Sequence, residues 1–454
     1  MTAPSFRWSK SVIARLLSVF PRTATAPFCP SEVRGSVIVP PGASLWSRFW
    51  RLSGPGLLIS VGYMDPGNWA TDIAAGSRFG TSLLWVVLAS SLAAMFLQTL
   101  SARLGLASGL DLARACRVRY GRGPNTALWL MAELAIIATD LAEVLGSALA
   151  LHLLFGLSLL VGIVITAFDM LLVVGLQGRG FRQVEAIMLA LVITIAACFA
   201  VQLVVVGPDW KAVWSGFVPR PSSIFDGEAL VVAIGILGAT VMPHNLYLHS
   251  SIVQTRHIVG SEADCRQAIT LATADTVVTL FLALIVNAAI LVVAASAFHA
   301  TGHTNVTEIQ DAFHLLDPVV GSSFAALLFG IGLLAAGQSS TFTGTIAGQV
   351  LMEGFLDLKI PCWQRRVITR VLAVVPAFCA VAWLGEGAIG ALLVLSQVVL
   401  SLQLPFAVWP LVRMTSDRKV MGAFVSGRIA TGVAYMIFAT ICGANLWLLV
   451  SLVN

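Results

Sequence analysis

The sequence predicts an all-α integral membrane protein of about eleven transmembrane helices, and three observations carry that reading. Of 454 residues, 58% are hydrophobic and only 11% charged, with a mean hydropathy of +0.90, far from a soluble domain. Apolar stretches of roughly 20 residues, the length that crosses a bilayer, recur along nearly the whole chain. Two of them carry a polar, proline-centred break at matching positions, five helices apart. The lipid bilayer is therefore the solvent, and no room is left for a sizeable aqueous domain.

Taken in order, residues 1–50 are rich in Arg, Ser and Pro, with Glu32 as the only acid. A transit peptide has such a composition. The plainer reading is a poorly ordered cytoplasmic tail ahead of a transmembrane domain at 51–454. Hydropathy, turn residues and charges place helices at Pro55–Ser77, Ser82–Leu104, Asn125–Leu154, Ser158–Leu176, Val184–Val206 and Leu230–Gln254. Five more are expected at Ala268–Ala297, Ser322–Gly344, Val367–Trp383, Ile389–Val412 and Ile429–Leu452. With the N-terminus inside, only Arg78, Lys211 and Arg220 of the 27 Lys and Arg lie outside. That steep bias predicts a cytoplasmic N-terminus. The basic residues thus report topology and not a nucleic-acid partner. The outer segment His299–Asp317 holds Glu308, Asp311 and Asp317 without Lys or Arg, which would draw cations to the entry side. The seven cysteines stand singly, with no metal or disulfide spacing.

The first break reads Gly62-Tyr-Met-Asp65-Pro66-Gly67-Asn68 and the second Gly238-Ala-Thr-Val-Met242-Pro243-His244-Asn245, both containing x-Pro-x-Asn. An odd offset of five helices inverts one half relative to the other, giving a 5+5 inverted repeat with discontinuous helices 1 and 6. Proline has no N–H for the carbonyl four residues earlier, so Pro66 frees the oxygen of Gly62 and Pro243 that of Ala239. In hydrocarbon a free carbonyl needs a substitute donor, and a cation can serve. Asp65, Asn68 at i+3, the Ala239 oxygen and the Met242 thioether then offer one anion, neutral oxygens and a soft sulfur. A thioether favours softer ions such as Mn2+, Fe2+, Co2+ or Cd2+ over Mg2+ or Ca2+. The bland reading makes Pro and Gly mere kinks and Met242 core filler. An intramembrane carboxylate beside an unwinding Pro-Gly pair weighs against it.

Glu133, Asp140 and Glu143 on the third helix fall within about 80° of one face, a stripe that fits a proton or water route toward the cytoplasm. Pairing with inside basic groups such as Arg365, Arg366 or Arg370 is the structural alternative, and both can hold. His244 suits a ligand, a proton acceptor or a core histidine, and His249 lies at a different helical angle.

Three segments together are specific: Asp65-Pro-Gly-Asn68 with Trp-Ala-Thr-Asp, Met242-Pro-His-Asn-Leu-Tyr-Leu-His249, and Gly337-Gln-Ser-Ser-Thr-Phe-Thr-Gly-Thr-Ile-Ala-Gly-Gln349. They resemble the signatures of the Nramp family of proton-coupled divalent metal transporters, of bacterial manganese-transporter type, from about Trp50 onward. The resemblance implies the LeuT-like inverted-repeat bundle shared with sodium-coupled amino-acid transporters. It also implies Asp65, Asn68, Met242 and the Ala239 oxygen as ligands, with a polar residue of the tenth helix at Gln397 or, second, Gln403. His244 then sits near the proton route. Ser91 stands where many bacterial relatives place Asn, and Met242 argues against a magnesium-specialised branch. The expected function is alternating-access import of Mn2+ or Fe2+, with Cd2+, Co2+ and Zn2+ as further substrates, together with protons, in a bacterial inner membrane. No cofactor is expected, the metal being the cargo, and oligomeric state is left open. Rival readings are an intramembrane metalloenzyme, which lacks its HExxH-type motif here, a metal sensor, and an amino-acid carrier of the same fold.

Overall fold

The computed structural model describes residues 33–40, 44–168, 181–220, 226–306, 308–320, 324–357 and 362–453. Helix α1 (Leu45–Leu52) precedes the first membrane helix, which is split into α2 (Pro55–Gly62) and α3 (Pro66–Phe79). Then come α4 (Leu84–Ser108), a short α5 (Leu112–Arg119), α6 (Arg122–Phe155), α7 (Leu159–Ala167), α8 (Phe181–Val206) and α9 (Trp210–Gly216). The sixth membrane helix is again split, into α10 (Gly227–Val241) and α11 (Pro243–Ile252). Helices α12 (Glu262–Ala297), α13 (Ile309–Val320), α14 (Ala325–Leu356), α15 (Cys362–Leu384), α16 (Ile389–Thr415) and α17 (Arg428–Val453) complete the order.

Among the described residues, eight helices are long and apolar enough to cross a membrane. The three other expected spans have local reasons to fall short of that count. The first is broken, α7 ends at Ala167 with 169–180 outside the described residues, and α15 has its apolar stretch at Arg370–Leu384. The two largest outward shifts are in α12 and α14. Helix α12 starts at Glu262 because Ser261 and Asp264 form a reciprocal capping box. Helix α14 runs past the expected end at Gly344, which is buried within it, to Leu356.

Within the N-terminal stretch read as a poorly ordered tail, Val37–Val39 (β1) pairs in parallel with Arg256–Ile258 (β2), Val37 opposite Arg256. These short strands use backbone groups that the sequence pattern does not mark. The bundle core surrounds the broken helices: α3 packs on α10, α2 on α11, and α6, α12, α14 and α16 wall them in. Consequently every residue from Pro55 to Ser77 is buried.

Candidate metal site at the helix breaks

Asp65 is the N-cap of α3, in extended backbone at φ −71° and ψ 164°. Its Oδ1 accepts from the backbone N–H of Asn68 at 2.8 Å and from Asn68 Nδ2 at 2.7 Å. The same Asn68 Nδ2 donates to the Ala239 oxygen at 3.1 Å, the carbonyl that Pro243 deprives of its helical donor. One side-chain amide therefore ties the two breaks together. Asp65 Oδ2, fully buried, has no hydrogen-bond donor. An acceptor left so in a dry interior costs about 1–3 kcal/mol or more.

Gln397 closes over this carboxylate. A methyl group on Gly67 would collide with the Gln397 amide and stand 3.1 Å from Asp65 Oδ2. Gln397 Nε2 donates to Ser396 Oγ at 2.8 Å, while its Oε1 has no donor. Gln403 is buried with neither amide atom partnered, but Gln397 is the glutamine that meets Gly67.

Met242 is the single non-helical residue between α10 and α11, at φ 16° and ψ 103°, and is fully buried. Its Sδ accepts from Asn245 Nδ2 at 3.4 Å. Asn245 in turn reaches the end of α2, where a methyl on Gly62 would stand 2.5 Å from its Nδ2. Asp65, Asn68, Ala239 and Gln397 are thus brought together directly, while Met242 is tied through Asn245 to Gly62 at the end of α2.

The sequence reading missed two groups here. Asn287 on α12 donates to the Tyr63 oxygen at 2.9 Å and to Asn68 Oδ1 at 3.5 Å, with its own Oδ1 unpartnered. Asp72, two turns along α3 from Asp65, is buried with Oδ2 unpartnered. The second was detectable as an intramembrane carboxylate; Asn287 has no local motif to announce it.

Asp140 and Glu143 are buried on α6, and Glu133 is partly buried with Oε2 unpartnered. A methyl on Gly344 of α14 would lie 2.9 Å from both Glu143 oxygens and 3.0 Å from Asp140 Oδ1, so the two carboxylates flank one point. His244 Nδ1 bonds Thr139 Oγ1 at 3.1 Å, which sets the imidazole beside the residue preceding Asp140. His249 belongs to another chain: its Nδ1 meets Gln98 Oε1 at 3.0 Å, and Gln98 Nε2 donates to the Tyr63 hydroxyl at 2.9 Å. The side chains of Arg365 and Arg366 lie outside the described residues. Arg370, a turn further, is buried and donates from Nε to the Thr166 oxygen at 3.1 Å. Ser91 is buried in α4. Glu308 is not a free acid, because its Oε2 accepts from Gly390 N–H at 2.6 Å at the start of α16. Burial pushes the Glu308 carboxyl up and that amide pulls it back.

Half-helices meeting in the middle of a helical bundle around a carboxylate with an open oxygen define a secondary membrane transporter with an inverted-repeat core, not an enzyme. The particular lineage follows from comparison. The chain belongs to the Nramp family, matching Natural resistance-associated macrophage protein-like over residues 56–451. It is 62% identical to the divalent metal cation transporter MntH of Ralstonia nicotianae over 432 residues, 95% of this chain and 98% of the relative. It superposes on the crystal structure of the Eremococcus coleocola manganese transporter with TM-score 0.85 and 36% identity, covering 92% of this chain and 90% of that one. MhsT in complex with L-phenylalanine, at 15% identity and TM-score 0.60 over 86% of this chain and 98% of its own, shares the fold alone.

Proposed function

We propose that this chain imports divalent transition-metal ions, Mn2+ and Fe2+ foremost, with Cd2+, Co2+ and Zn2+ as further substrates, by proton-coupled alternating access in a bacterial inner membrane with its N-terminus cytoplasmic. Relatives named as divalent metal cation and manganese transporters support the cargo class. The observation that carries the reading is the donor-poor cluster at the breaks. Asp65 Oδ2, Gln397 Oε1, Asn245 Oδ1 and Asn287 Oδ1 are buried acceptors without donors, and the Met242 sulfur is held by Asn245.

The Asn68 amide takes the place of the ion when none is bound. Its NH2 group bridges Asp65 Oδ1 and the Ala239 oxygen, and rotation of the amide would turn its oxygen to a dication while releasing both acceptors. A dication then stabilises ionised Asp65 and displaces its proton. His244, hydrogen-bonded to Thr139, and the α6 carboxylates Asp140, Glu143 and Glu133 would carry that proton inward. Rocking of the half-helices exposes the ion to the cytoplasm.

Proteoliposomes loaded with a pH-sensitive dye test this. Mn2+ added outside should enter and acidify the lumen, with Fe2+ and Cd2+ competing and Mg2+, Ca2+ and leucine inert. Mn2+ entry without proton entry would sink the coupling, and leucine entry would sink the cargo.

A further inference from the structure

Helix α1, Leu-Trp-Ser-Arg-Phe-Trp-Arg-Leu, divides into three arcs at about 100° per residue. Arg48 and Leu52 face the protein: Arg48 Nη1 pairs with Asp264 Oδ1 at 2.9 Å, and Leu52 packs with Val39 and Ala268. Ser47 and Arg51 form a second arc, with Arg51 Nη1 donating to the Ile38 oxygen at 3.1 Å. Trp46 and Trp50 form the third and are 69% and 52% exposed. The aromatic rings pack on one another, Trp46 against Trp50 with centroids 5.5 Å apart and against Phe49 at 6.2 Å.

We propose that α1 is an interfacial helix whose Trp46 and Trp50 face lies among the phospholipid headgroups on the N-terminal side of the bilayer. Its position argues for lipid: only Ser53 and Gly54 separate it from Pro55, where the first membrane helix begins, so its end lies within about 12 Å of that helix. Continuity argues the same. Arg182, at the foot of α8, donates from Nη1 to the Ser53 oxygen at 2.6 Å and from Nη2 to the Trp50 oxygen. Helix α8 exposes Leu189 and Ile193 on the lipid-facing surface above. Tryptophan concentrates where one end of a side chain is apolar and the other wet. Arg51, exposed on a helix that carries no acid, supplies a cation to phosphate groups. Through the Arg48–Asp264 pair and the β1–β2 pairing, the bilayer then grips the segment joining α11 to α12.

The full chain carrying p-benzoylphenylalanine at position 46, 50 or, as an exposed control, 262 is irradiated in phosphatidylethanolamine–phosphatidylglycerol nanodiscs and analysed by intact mass. Phospholipid adducts at 46 and 50 should exceed those at 262 by roughly tenfold. Adduct yields equal to the control, or a covalent band of twice the chain mass in place of lipid, would overturn the proposal. A Trp46→Ser, Trp50→Ser double variant gives an independent reading by hydrogen exchange of 45–52 in the same nanodiscs. Exchange should rise roughly tenfold, and unchanged exchange counts against the lipid contact.

Discussion

The two interrupted helices share the x-Pro-x-Asn pattern but open by different amounts. Between α2 and α3 three residues, Tyr63, Met64 and Asp65, leave the helix; between α10 and α11 only Met242 does. In both, the residue before proline receives an N–H from the asparagine at i+3, Asn68 to Asp65 at 2.7 Å and Asn245 to Met242 at 3.4 Å. The geometry repeats while the chemistry divides. The first break presents a charged oxygen and the second a neutral sulfur. On the proposed metal reading the labour is divided: the first half would supply most of the attraction for a dication and the second would decide which dication is held.

The largest effect should come from removing the charge. Asp65→Asn keeps the size and the N-cap while deleting the only anion in the donor set. Mn2+ uptake in proteoliposomes should fall by roughly 100-fold or more, with an unchanged size-exclusion profile showing that the fold persists. Uptake within about twofold of the parent would mean that the first break is not the anchor. Next comes the sulfur. Met242→Ala should leave some Mn2+ uptake while the preference for Mn2+ over Ca2+ drops by roughly 10- to 100-fold, read as competition by Ca2+ and Mg2+. An unchanged ion ranking would erase the contrast between the halves.

Much of this was legible in the sequence because proline announces its own consequence. Pro243 picks out the Ala239 oxygen by counting back four residues, and the oxygen is indeed the one taken by Asn68. The α6 stripe was legible through helical angle, and Asp140 and Glu143 do converge at Gly344. Asn287 was not legible, since it reaches the site from an unbroken helix 219 positions away in sequence from Asn68. Contacts of that range follow from tertiary packing and leave no local pattern. The strand pairing of residues 37–39 was hidden for a related reason, because its backbone hydrogen bonds join segments more than 200 residues apart. His249, placed by helical angle away from His244, bonds Gln98, whose amide reaches the Tyr63 hydroxyl.

The smallest effect is also the most discriminating, because it concerns a residue that tunes a ligand without supplying the charge. Asn245 holds Met242 Sδ with one amide hydrogen and presses its NH2 group against Gly62. Asn245→Ala removes that hold and leaves the thioether free to rotate, while Asp65, Asn68 and the Ala239 oxygen keep their mutual contacts. Partners that orient metal ligands typically matter by 10- to 100-fold, and a long bond to a neutral sulfur should sit at or below the bottom of that range, about three- to tenfold in KM. The direction across ions is the decisive part. Cd2+, which gains more from sulfur than Mn2+ does, should lose more affinity in the variant. Equal losses for Cd2+ and Mn2+ would mean that Asn245 acts by packing α11 against α2, and the two breaks would then differ in opening alone, not in their share of selectivity.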